Sequence, residues 1–172
     1  IVKISLDDIV GFYSQKKGNY KCKLILTDKD FFPFEVDSKT TSKSYIFKLS
    51  LFDLIRITCS DEELRLNYSY NSLEEMGQSR LDLSLLFDNV RGFLGDTKYN
   101  RNIIHTLEKE NENFFLYNNG ITITATDIES DNTGMAKQYL FTISDYQIVN
   151  GGQTLRSIYK FLGFGGKGFE YS

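Results

Sequence analysis

Residues 146–162 read YQIVNGGQTLRSIYKFL, and this stretch decides the fold class. YQIVN has the apolar character of a short buried strand, Gly151 and Gly152 form a tight turn, and QTLRSIYKFL is an amphipathic helix with Leu155, Ile158, Tyr159 and Leu162 inward. A strand that passes through glycines into a helix with one apolar face calls for a sheet with helices packed on it. The first turn of a helix leaves N–H groups unpaired at the positive end of its dipole, and glycines let a ligand approach the backbone, which suits an anion such as phosphate. Asn150 or Thr154 either caps this helix or touches a ligand. NGGQT matches neither the phosphate loop with its Lys-Ser/Thr ending nor GxGxxG, so a purely structural turn stays open as the alternative.

Working back from this stretch, FFLYNNGITITATDI (114–128) reads as a hairpin about the turn-forming Asn118, Asn119 and Gly120. These amides serve the turn or face the same pocket as NGGQT. A further turn at SDNTG leads to a third neighbouring strand in KQYLFTIS (137–144). Before the hairpin, Asp96 or Thr97 caps a helix with an apolar stripe of Ile103, Ile104 and Leu107 and a solvated end in EKENEN. Residues 60–80 are polar and form a surface connection, with a strand at ELRLNYS (63–69). Ser50 and Asp53 have cap spacing ahead of a helix in LFDLIRI, and Ser5 and Asp8 repeat it ahead of a helix ending by Gly18. YKCKLILT (20–27) alternates as a half-buried strand does, and a second strand lies in FFPFEV or SYIFKLS. The expectation is a single α+β domain, an antiparallel or mixed β-sheet with packed helices. Within it, residues 1–80 form an N-terminal α+β part, 81–162 the motif region, and 163–172 a glycine-rich end cut from a longer chain.

The chain has 172 residues and a net charge of −3, so it lacks the global basic footprint of non-specific nucleic-acid binders, and any such binding needs a local patch. No apolar cluster approaches the roughly 20 residues that cross a bilayer. Cys22 and Cys59 have no metal-like spacing and read as reduced, buried thiols, which fits a cytoplasmic location.

Arg91, in FDNVRGFLG, is either a buried paired arginine or a phosphate clamp working through its forked donors. Arg101 and His105 share a helix face, but His105 is the only histidine and forms no multi-histidine metal site. Asp88, Asp96, Asp127 and Asp145 flank elements as caps and turn residues without the spacing of metal-dependent hydrolysis. No GxSxG is present.

The order of LFDNVRGFLG, YNRNIIHTL, FFLYNNGITITA and YQIVNGGQTLRSIY over Leu86–Tyr159 resembles the AIPR family, the abortive-infection phage-resistance proteins of bacteria. Residues 1–84 match it only in outline. The resemblance implies a role in defence against phage within a longer chain that continues into a mostly helical region. It singles out Asn89, Arg91, Asn118, Asn119, Gly120, Gln147, Asn150, Gly151, Gly152, Gln153 and Thr154, polar residues and glycines of the kind that build a ligand pocket. It leaves the cofactor unknown. Three functions are compatible with it: recognition of a nucleotide or nucleic acid, a nuclease or nucleotide-processing enzyme with catalytic parts beyond this sequence, or a module that docks a phage or host protein.

Overall fold

A computed structural model describes residues 2–5, 20–34, 43–69, 76, 79–86, 97–110, 113–114 and 118–163. The fold is α+β, with one mixed and one antiparallel sheet. The strands are β1 (Val2–Ser5), β2 (Lys21–Thr27), β3 (Phe31–Phe34), β4 (Ser44–Phe47), β5 (Ile121–Thr124), β6 (Asp127–Asn132), β7 (Gln138–Ser144) and β8 (Gln147–Asn150). The larger sheet has the order β3-β4-β1-β5-β8, and its β1 and β5 run parallel while every other pair is antiparallel. The smaller sheet is β2-β7-β6. Alternation in KCKLILT sends Cys22, Leu24 and Leu26 inward, as period-two patterning requires.

Register gathers several chain turns at one end of the larger sheet. Phe31 opens β3 opposite Phe47, which closes β4; Phe47 lies opposite Val2, and Val2 opposite Ile121, which opens β5. Asn150 closes β8 near the same end, opposite Thr122. The segments 28–30, 48–50, 118–120 and 151–154 therefore all enter or leave the sheet here.

The helices are α1 (Leu51–Thr58), α2 (Glu62–Leu66), α3 (Lys98–Lys109) and α4 (Gly152–Phe161). Ser50 caps α1 by accepting from the Asp53 N–H at 3.0 Å, and Thr97 caps α3 by accepting from Asn100 at 3.2 Å. The buried Arg56 of α1 donates to the carbonyls of Leu64 (3.2 Å), Arg65 (3.0 Å) and Lys23, which ties α1, α2 and β2 together. Arg65 donates to the Cys59 carbonyl at 2.8 Å and pairs with Asp82 at 3.3 Å. Two tyrosines bury their rings and satisfy their hydroxyls on α1: Tyr146 donates to the Ile57 carbonyl and Tyr159 to that of Ile55 at 2.9 Å. Phe31, Tyr45 and Phe47 pack edge-on around Phe141 of β7 with centroids 4.9 to 5.5 Å away, joining the two sheets.

Several local expectations change. FFPF and SYIF are both strands, and they pair with each other. ELRLNYS contains no strand, because Asp61 caps Leu64 at 3.2 Å and opens the helix α2 instead. ITITATDI is not one hairpin arm. It divides after Thr124 into β5 and β6 in different sheets, and β5 has β1 on one side and β8 on the other, which leaves no edge for FFLY. YQIVN buries Tyr146 and Ile148 but leaves Val149 and Asn150 exposed, with a register shift opposite Thr122 and Ile123. The helix expected between Ser5 and Gly18 lies outside the described residues, although Ser5 itself ends β1.

Candidate functional site

A cavity of about 730 Å³ opens at the gathered end of the larger sheet. Phe31, Phe47 and Ile121 line it from the strands, Leu51 and Leu54 from α1, and Leu107 and Phe114 from the α3 side. Its polar lining includes Asn118, Asn119, Gly120 and Thr154, together with Asp28, Lys29, Asp30 and Lys48 from the turn before β3 and the exit of β4. A mostly apolar hollow of this size with a few convergent polar groups has the character of a small-molecule or cofactor site.

The two amide-rich turns meet because Gly151 permits it. Gly151 has φ +91°, and a Cβ there would stand 2.8 Å from Cγ1 and 3.1 Å from Cα of Ile121, the residue after Gly120. Only a glycine combines that backbone angle with that approach. Asn150 accepts from the Gly151 N–H at 2.9 Å through its own Oδ1, and no side chain caps α4. Asn150 therefore braces the turn ahead of the helix, and Thr154, buried, turns toward the cavity instead of capping. Asn118 donates from both its backbone N–H (3.1 Å) and its Nδ2 (3.0 Å) to the Phe114 carbonyl, which fixes the loop and leaves its carboxamide oxygen without a partner among the described residues. Asn119 is exposed and makes no hydrogen bond among the described residues.

Four of the residues expected from the sequence thus reach one cavity. Asn150, Gly151, Gly152 and Gln153 lie beside it without lining it, while Gln147 opens β8 opposite Thr124, toward the other end of the sheet. Asn89 and Arg91 fall outside the described residues, as do Asp88 and Asp96. Arg101 and His105 are exposed on α3, away from the lining, and Asp145 accepts from the Thr126 hydroxyl at 3.2 Å in a turn. Among the described residues no group of three His, Cys, Asp or Glu side chains could hold a metal ion. Burial pushes the Cys22 thiol up to about 12 and raises that of Cys59, so neither is an activated nucleophile.

Sequence reasoning missed Lys29, Lys48, Phe31 and Phe32, whose joint presence depends on strand register that no local pattern reveals. It also missed Arg156 of α4, whose Nε and Nη1 are buried without a hydrogen-bond partner among the described residues and whose pKa burial lowers. Two positions beyond Thr154, Arg156 lies on the opposite side of the helix from the cavity.

Residues 86–163 match the family model described as AIPR protein. The AIPR segment contains α3, both amide-rich turns, β5 to β8 and α4, while the lysine-bearing wall comes from residues before it. The match supports a role in phage defence by abortive infection in general. No curated protein and no solved structure matches the chain. Among the described residues no helix is long and apolar enough to cross a membrane.

Proposed function

We propose that this protein, whose residues 86–163 match the AIPR family model, recognises a nucleotide or nucleic acid through the cavity at the sheet end, as part of phage defence. The observation that carries the reading is the convergence of Asn118, Asn119, Gly120 and Thr154 on one hollow walled by phenylalanines. A carboxamide offers a donor and an acceptor side by side, the pattern that reads a base edge, and aromatic faces stack on bases whatever their sequence. Phe32 is 65% exposed at the rim, in reach of an unpaired base.

Thermal unfolding against ribonucleotides, deoxynucleotides and short single- and double-stranded DNA and RNA tests this. A ligand at about 100 times its dissociation constant stabilises by roughly 2.7 kcal/mol, a readily measured shift. The expected result is a shift with at least one of these ligands that shrinks in Asn119→Ala; the absence of a shift with all of them sinks the reading. The edge strand β3 favours a second reading, because Phe32, Phe34 and Ile46 are exposed together on β3 and β4 and resemble the aromatic centre of a protein interface. Under that reading, Phe34→Ser abolishes capture of a phage or host protein and leaves every nucleotide shift unchanged.

A further inference from the structure

We infer that the ligand of this cavity carries a phosphate that Lys29 and Lys48 receive, with its base at the Asn118–Asn119 turn. The inference rests on the nucleotide reading above and fixes where the anion lies.

The four charged residues of the lining differ in their engagement. Asp28 pairs with Lys137 at 3.7 Å, and the Asp30 carboxylate accepts from the Thr27 N–H at 3.1 Å and from the Thr27 hydroxyl. Lys29 and Lys48 have no ion-pair or hydrogen-bond partner for their ammonium groups among the described residues. The two lysine-bearing segments are held together, since the Lys48 N–H donates to the Asp30 carbonyl at 2.7 Å. The hydrogen bonds leave the Asp30 carboxylate charged, but with Asp28 paired to Lys137 the two lysines outnumber it, so the wall is net cationic, and it adjoins an apolar hollow whose low dielectric strengthens attraction for an anion.

Register supplies the spacing. Phe31, Phe47, Val2 and Ile121 form one row across four adjacent strands. At about 4.8 Å between strands, the row separates the lysine wall beside Phe31 and Phe47 from the amide turn before Ile121 by about 10 to 14 Å. A nucleoside monophosphate fills such a span with its base at the amides, its rings against phenylalanine and its phosphate at the lysines. The N-terminus of α4 is the competing place for the phosphate, but Gly151 is pressed against Ile121, and of the first turn only Thr154 reaches the lining.

The test measures binding of matched nucleosides and nucleoside 5′-monophosphates, and of a short single-stranded oligonucleotide, at two salt concentrations. The expected result is that the monophosphate binds at least tenfold more tightly than its nucleoside and that added salt erodes this advantage. Lys29→Ala with Lys48→Ala removes the advantage and leaves nucleoside affinity unchanged, while Gln153→Ala leaves the advantage intact. If only the oligonucleotide binds, each lysine substitution lowers its salt slope by about one, and the phosphate belongs to a nucleic-acid backbone. Equal binding of nucleoside and monophosphate, or an advantage that survives the double substitution or vanishes in Gln153→Ala, overturns the inference and leaves the nucleotide reading standing. Failure of every nucleoside, nucleotide and oligonucleotide to bind overturns both. Both lysines are exposed, so an unchanged unfolding temperature separates loss of binding from loss of fold.

Discussion

Gly151 carries two constraints at once, a left-handed φ of +91° and an approach to Ile121 that leaves no room for a methyl group. Gly151→Ala therefore costs about 1 to 3 kcal/mol of stability, which a lowered urea midpoint registers, and it pushes the two amide turns apart. Gly134 also has positive φ but nothing within 4 Å, so Gly134→Ala is strained by its backbone alone and is the milder substitution. The glycine at position 151 was legible as a turn from its sequence neighbours. Its contact with Ile121 was not, because a residue distant in sequence supplies it. Asn150 differs: its polar side chain suggested a cap or a ligand contact, and it instead accepts from the N–H of the adjacent Gly151, a local bond that several polar residues at this position would also suggest.

At the scale of elements, caps were the most readable signal. Ser50 accepts from Asp53 as the spacing indicated, and Ser50→Ala is expected to cost about 1 kcal/mol in equilibrium unfolding. Because Leu51 and Leu54 line the cavity, the same substitution is expected to weaken the nucleotide binding proposed for it if α1 frays. The strand expected in ELRLNYS failed because Leu64, Arg65 and Leu66 alternate like a strand while Asp61, Glu62 and Glu63 mark a helix start, and the acidic first turn prevails. The hairpin through Asn118 and Asn119 failed for a non-local reason: β5 is an inner strand whose neighbours come from distant parts of the chain.

At the scale of the whole molecule, the α+β class and the strand-turn-helix of the AIPR segment were readable from periodicity, whereas the cavity was not. Its two walls come from opposite ends of the sequence and meet only through sheet order. The core predicts an alkaline limit. Burial raises the Cys22 thiol from its ordinary 9.0 to about 12 and also raises Tyr146 and Tyr159. The unfolded chain releases these protons first, so stability holds below about pH 9 and falls as pH climbs toward 12. The slope is about 1.4 kcal/mol per pH unit for each group ionised only when unfolded. Urea midpoints at neutral pH and at about pH 10 check this; an unchanged midpoint refutes it.

The position of β1 bears on how the chain reaches this state. Val2–Ser5 lies between β4 and β5, and residues 48–120 are synthesised between its two partners. Its antiparallel contact with β4 can form early, but its parallel contact with β5 must wait for a long loop to close. Native contacts of such sequence separation slow folding, and until β5 arrives the larger sheet has an open inner edge. The nascent protein therefore passes through a period in which a second chain could pair with that edge, and chaperone occupancy during synthesis would be the sign of it.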